Sequence, residues 1–205
     1  MTYNRRYQWP EAKSVLILIG LNLILFIASL FNDTLIGTLG LQPSTWTKEP
    51  WTVLTSMFMH AGVWHIVANM FTLYFLGSYL CNMIRDKRFL IIYFIGGIIG
   101  SFFFILFSLY TPFGNPNDVA IGASGAIFAV AGAFTVLAPK LKVIIFPIPI
   151  PMPLWVAIIG GFILLTLLAF FTDNSIGWQA HLGGLIVGLV AGFFLRKRKR
   201  NISMF

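Results

Sequence analysis

Phe89 to Tyr110 reads FLIIYFIGGIIGSFFFILFSLY, a run without a single charged residue. A helix crossing the hydrocarbon of a bilayer needs about 20 apolar residues, and this stretch meets that requirement. It decides the fold class because it is not alone. Working outward, comparable stretches cover roughly residues 14–31, 63–80, 119–138, 153–171 and 178–195. The chain has 205 residues, 58% of them hydrophobic and only 10% charged, where soluble domains carry about 25% charged residues. No soluble fold of this size could bury so much apolar surface. The expectation is an all-α membrane protein, a polytopic six-transmembrane-helix bundle, with residues 1–205 forming one membrane domain of spans, short loops and tails. The first stretch lacks a clear small-residue cleavage site and reads as a retained span rather than a signal peptide.

The formal net charge of +8 is distributed by topology. Arg5, Arg6 and Lys13 precede the first span, and Arg85, Lys87 and Arg88 lie between the second and third. Lys140 and Lys142 follow the fourth span, and Arg196 to Arg200 follow the sixth. Of the 14 basic residues only Lys48 falls on the other side. The positive-inside rule then places both termini in the cytosol, in agreement with an even number of spans. The charge therefore implies no nucleic-acid partner. The basic tail can meet anionic membrane lipids, although a topology anchor is the simpler use. The lone cysteine, Cys81, excludes an internal disulfide and reads as packing.

Residues 32–62 form the longest outer loop, and Trp46 and Trp51 favour its resting partly in the outer leaflet. The inner loop 139–152 is apolar and carries prolines at alternate positions, which forbid a regular helix. It is expected along the inner membrane surface. The spans are rich in small residues, with Gly96, Gly97 and Gly100 in the third and Gly122, Gly125, Ala129 and Gly132 in the fourth. Gly184, Gly188 and Gly192 recur every four residues in the sixth. Such stripes let helix backbones approach closely in lipid. His181 shares that face of the sixth span and is expected to point inward at the fourth.

Polar side chains inside a bilayer are costly and are functional suspects by default. His65 and Asn69 lie early in the second span, Ser124 early in the fourth and His181 early in the sixth. With both termini inside, these three spans run in the same direction, so the four residues share one depth below the outer surface. Acyl transfer is the chemistry such a cluster suits. A serine hydroxyl needs a base to take its proton, usually histidine, and the developing oxyanion needs donors aimed at it. Ser124 lies near a helix start with free backbone N–H groups, and its flanking glycines leave room for a carbonyl. No carboxylate falls within the six stretches, so a Ser–His dyad is expected rather than a triad. Phe128, four residues after Ser124, is placed to stack on His181. Taken singly, each residue has a packing role open to it; the convergence of four on three spans argues for a site. His60 and Asn22 read as structural.

These residues resemble the rhomboid family of intramembrane serine proteases, over nearly the whole chain. His60-Ala-Gly-Val-Trp-His65-Ile-Val-Ala-Asn69 looks like the family's second-span motif, Gly122-Ala123-Ser124-Gly125 like its nucleophile motif, and Ala180-His181-Leu-Gly-Gly184-Leu-Ile-Val-Gly188 like its last-span motif. The resemblance implies Ser124 as nucleophile and His181 as general base. It implies His65, Asn69 and the backbone of Ser124 and Ala123 as oxyanion stabilisers, and Phe128 as the aromatic support of the histidine. It also implies the fifth span and loop 172–177 as a lateral gate and cap. The family commonly has Trp-Arg in the outer loop; here Trp51 is followed by Thr52.

The function expected is an intramembrane serine endopeptidase that cleaves transmembrane segments of membrane proteins near the outer leaflet, through an acyl-enzyme, with no metal and no cofactor. The resemblance also implies small residues at the cleavage site. The short chain and bare tails favour a bacterial plasma membrane. Three other readings compete. A non-catalytic relative would lack the serine or histidine, and both are present. A proton-coupled carrier usually embeds carboxylates, which fall outside these stretches. A metalloprotease using His60, His65 and His181 would favour an i, i+4 histidine pair with an intervening acid, whereas His60 and His65 are five apart.

Overall fold

A chain that crosses lipid must satisfy its backbone polar groups internally, and this one does so with helices. The structure, a computed structural model, describes residues 12–145, 148–171 and 177–202. Lys13–Phe31 (α1) is followed by Thr34–Leu39 (α2), a single turn Thr52–Thr55 (α3) and a 3-10 turn, Ser56–Phe58. The second span comprises Val63–Thr72 (α4), a π-helical turn Leu73–Gly77, and Ser78–Ile84 (α5). Asp86–Tyr110 (α6) and Ser124–Leu137 (α7) precede a hairpin of Lys142–Ile145 (β1) and Ile148–Pro153 (β2). Leu154–Phe171 (α8) and Trp178–Ile202 (α9) complete the order. Among the described residues five helical segments are long and apolar enough to cross a membrane, and α7 adds a shorter apolar helix of 14 residues. The protein is a multi-pass, predominantly helical membrane bundle.

The fourth stretch becomes helical only at Ser124, not at residue 119. Apolar character alone does not distinguish helix from extended chain, and here a backbone partner decides. Leu41 and Ala120 exchange both hydrogen bonds, at 3.0 and 2.8 Å, and hold Val119–Ile121 out of the helix. Gly122 then takes φ +124°, a conformation open to glycine at little cost, and its N–H donates to the Ser56 carbonyl at 2.9 Å. At 1.5 Å per residue α7 is roughly 21 Å long, shorter than the ~30 Å hydrocarbon core. Its N-terminus begins within the bundle, where Ala123 is fully buried.

Helix α7 is the centre of the packing, wedged between α6 and α9 and buried along most of its length. The small-residue stripes make this possible. A methyl added at Gly184 would overlap the Gly125 carbonyl, and one at Gly188 would overlap that of Ala129. Farther down, a methyl on Gly132 would stand 2.8 Å from the Leu185 carbonyl. On the other side, a methyl on Gly96 would collide with the side chain of Ala129. The expected partnership of the fourth and sixth spans is thus a backbone-to-backbone contact.

At the base of the bundle Asp86 starts α6, three residues ahead of the expected boundary. An acid there favours the helix N-terminus. Its carboxylate accepts hydrogen bonds from the backbone N–H and the hydroxyl of Ser14 and so ties α1 to the turn before α6. Buried Cys81 lies beside the same carboxylate at 3.4 Å. The proline-rich loop forms an antiparallel hairpin in which Val143 pairs with Met152 and Lys142 with Pro153. Pro149, Pro151 and Pro153 occupy alternate positions on β2. Ile144 and Ile150 project outward, each 64% exposed.

The loop between α1 and the second span is held down by its own backbone and by α6. The Ser101 hydroxyl donates to the Val53 carbonyl at 3.0 Å, and the Trp51 indole to the Thr38 carbonyl at 3.0 Å. Thr52, where the resemblance would place arginine, is buried and donates its hydroxyl to the Glu49 carbonyl at 2.6 Å. Among the described residues α8 is the least embedded span, with Leu154 and Ala157, both at its hairpin end, its only buried residues. Of the expected cap at 172–177, residues 172–176 lie outside the described residues.

Candidate active site

Ser124 is the first residue of α7, and His181 lies one turn into α9. The close α7–α9 contact brings them together: His181 Nε2 lies 2.8 Å from Ser124 Oγ. A proton on the serine oxygen requires Nε2 to be the acceptor, which leaves the hydrogen on Nδ1. That nitrogen is buried and has no hydrogen-bond partner among the described residues. Packing orients the ring instead. Phe128 stacks on it with centroids 4.7 Å apart and planes inclined by 27°. The face of an aromatic ring also attracts a cation, by about 0.5–2 kcal/mol, which suits an imidazole that is to gain a proton.

Gly122 shapes the space beside the serine. The point its missing Cβ would occupy is 2.8 Å from His65 Nε2 and 3.8 Å from Ser124 Oγ. An oxygen placed in that gap would meet a ring N–H and stand beside the hydroxyl. Backbone donors face the same region. The helical ladder of α7 begins with the Ile127 N–H donating to the Ala123 carbonyl at 3.0 Å, so the N–H groups before it have no intrahelical acceptor. Ala123, fully buried, caps this end. Asn69 is also buried and borders the cavity, but one amide hydrogen is engaged with the His65 carbonyl at 2.8 Å. Its other amide hydrogen is left for a ligand.

His60 stands edge-on to His65, ring centroids 5.0 Å apart. It is 1% exposed and makes no well-formed side-chain hydrogen bond among the described residues. It lies outside the spans, and burial lowers its pKa to about 4, with the neighbouring His65 acting in the same direction and a weak contact to the Phe58 backbone opposing. His60 thus braces the ring of His65. Asn22 does not line the cavity around Ser124 and bonds the Leu18 carbonyl of its own helix at 2.7 Å. Among the described residues no group of three or more His, Cys, Asp or Glu is arranged to hold a metal ion.

A cavity of about 1010 Å³ surrounds the serine. It reaches from the loops down to Leu76 and Ala157, and one wall is the α8 face bearing Ala157, Gly161, Leu165 and Ala169. Gly161 leaves open space where a side chain would stand. One contact was not foreseeable from the sequence: Phe162 of α8 abuts Phe128, centroids 6.0 Å apart and planes at 81°. With 21 phenylalanines in the chain, nothing marked this one.

Comparison with known proteins bears on the whole assembly. Residues 47–198 match the model of the Rhomboid domain. The chain is 30% identical over 179 residues to the putative rhomboid protease YdcA of Bacillus subtilis, covering 84% of this chain and 79% of that one. It is 32% identical over 148 residues to Rhomboid protein 1, mitochondrial, of Saccharomyces cerevisiae, covering 71% of this chain but only 42% of the yeast protein. Inactive RHOMBOID-like protein 8 of Arabidopsis thaliana is 34% identical over 97 residues, 47% of this chain and 26% of its own. The chain is a member of the rhomboid family, whose proteases act on membrane proteins within the bilayer.

Proposed function

We propose that this chain is a serine endopeptidase of the membrane interior, with Ser124 as nucleophile and His181 as general base. The observation that carries the reading is the 2.8 Å separation of His181 Nε2 and Ser124 Oγ inside the cavity. As Ser124 Oγ attacks the scissile carbonyl, its proton passes to Nε2, and the imidazolium formed rests against Phe128. The carbonyl oxygen gains negative charge in the gap left by Gly122. His65 Nε2–H, the free amide hydrogen of Asn69 and the N–H groups of Ala123 and Ser124 stabilise it there. Proton return from His181 to the leaving amine gives the acyl-enzyme, and water activated by the same imidazole releases the acid.

The substrate is a transmembrane segment of another membrane protein. It enters beside α8, where Ala157, Gly161 and Ala169 leave room for an unwound chain with small side chains at the cleaved bond. The charge asymmetry supports cytosolic termini and cleavage near the outer leaflet. Residues 1–205 act as one membrane domain. Coverage of most of the Bacillus subtilis relative supports a bacterial plasma membrane, while the yeast relative is mitochondrial by name.

A fluorophosphonate probe tests this without a known substrate. Its phosphorus takes the place of the scissile carbonyl, so an activated serine should be labelled covalently at Ser124. Labelling that persists in Ser124→Ala would identify another nucleophile, and an unlabelled wild type would remove the dyad. A non-catalytic role is the second reading, since the Arabidopsis relative is called inactive; the same measurement decides between the two.

A further inference from the structure

We infer that Phe162 of α8 is a positioning residue for His181, acting through Phe128, so that the span beside the substrate path also aligns the base. This rests on the proposed Ser124–His181 dyad. In a triad a carboxylate holds the imidazole by hydrogen-bonding its second nitrogen. Here Nδ1 has no partner among the described residues, and the stack with Phe128 takes over that task. Phe128 is itself only half-buried and borders the cavity. A ring in that position has alternative rotamers unless something blocks them. The edge-to-face contact with Phe162 supplies the block from the far side, an arrangement aromatic pairs favour.

The embedding of α8 gives this chain of rings its meaning. Its buried residues, Leu154 and Ala157, are both at the hairpin end. Its opposite end is held by Phe170, which lies 6.5 Å from Phe113 and 5.9 Å from Trp178 between ring centroids. Phe162 sits between these two anchorages. Outward movement of α8 separates Phe162 from Phe128 and frees the ring that orients His181. Return of α8, or a substrate side chain in place of Phe162, restores the alignment. The histidine is then best aligned only when the wall beside it is occupied.

The experiment measures kinact and KI for fluorophosphonate labelling of the full chain in detergent, for wild type, Phe162→Ala, Phe162→Leu, Phe128→Ala and Phe128→Ala/Phe162→Ala. Phe162→Ala should lower kinact about fivefold without raising KI, and Phe162→Leu, which keeps most of the volume, should fall between it and wild type. Phe128→Ala should lower kinact further. The double variant should match Phe128→Ala alone, because residues acting in series are not additive. If Phe162 only obstructed entry, its removal would speed labelling, and that result would overturn the inference. So would losses that multiply in the double variant. Should Phe162→Ala unfold, the same comparison with Phe162→Leu and its double variant decides. An unlabelled wild type would instead refute the dyad, and this inference with it.

Discussion

The backbone carbonyl of Gly125 on α7 occupies the position where a side chain on Gly184 of α9 would begin. Ser124 adjoins the first of these residues and His181 stands one turn before the second, so one contact sets both helix separation and dyad geometry. Gly184→Ala must push α9 away from α7. The expected result is a loss of roughly 3 kcal/mol in stability, at the upper end for overpacking, with proteolysis reduced at least as severely. Thermal unfolding in detergent and cleavage of a model transmembrane substrate measure the two. Wild-type behaviour in both would mean the helices are not in register as described.

Ser124→Ala and His181→Ala should each lower cleavage by about 10⁴-fold or more, the scale seen when a nucleophile or its base is removed. Folding should be retained, because neither side chain fills a large part of the core. Turnover surviving in either variant, with the melting temperature unchanged, would dismiss the dyad.

Gly122→Ala introduces a methyl 2.8 Å from His65 Nε2 at a backbone φ of +124°. The strain costs about 1–3 kcal/mol, and the methyl fills the gap assigned to the oxyanion. Cleavage should fall about 10²-fold or more, a larger effect than the modest decline in melting temperature. A variant that melts early but cleaves normally would show that the gap is not used.

His60 gives a pH prediction with a definite sign. Its pKa is about 4 in the folded protein against 6.5 for an unperturbed histidine. Between those values the unfolded chain binds a proton that the folded chain refuses. The contribution is therefore complete above about pH 6.5 and is lost as pH falls toward 4, amounting to about 3 kcal/mol at most. His60→Phe keeps a ring against His65 and removes the titration. Its stability should decline less steeply than wild type between pH 6.5 and 4; parallel curves would assign the decline to other groups.

The bundle was legible because lipid imposes a simple composition on any segment that crosses it. For the same reason Ser124, His181, His65 and Asn69 stood out among apolar neighbours, and their helix-start positions were enough to expect them side by side. Phe128 followed from its four-residue spacing to Ser124. What escaped was everything apolar residues can do in more than one way. Val119–Ile121 satisfy a span as well as they satisfy a bridge to Leu41. The π-helical turn at Leu73–Gly77 has no distinctive composition. The alternating prolines excluded a helix but did not announce a hairpin. The contact of Phe162 with Phe128 joins two rings from different spans, and pattern within one segment cannot reveal it.

That hairpin has a further consequence. A free strand margin invites another strand to pair with it, since it presents unused N–H and C=O groups in a row. Pro153 has no N–H, so Val143 and Met152 form the pair able to exchange both bonds, and the Pro153 ring nitrogen turns away from β1. The outer margin of β2 can accept hydrogen bonds but offers no donors where its prolines stand. A second copy meeting this margin of β2 in a crowded bilayer finds no N–H where the prolines stand, so this side of a short, greasy sheet is a poor template for a further strand.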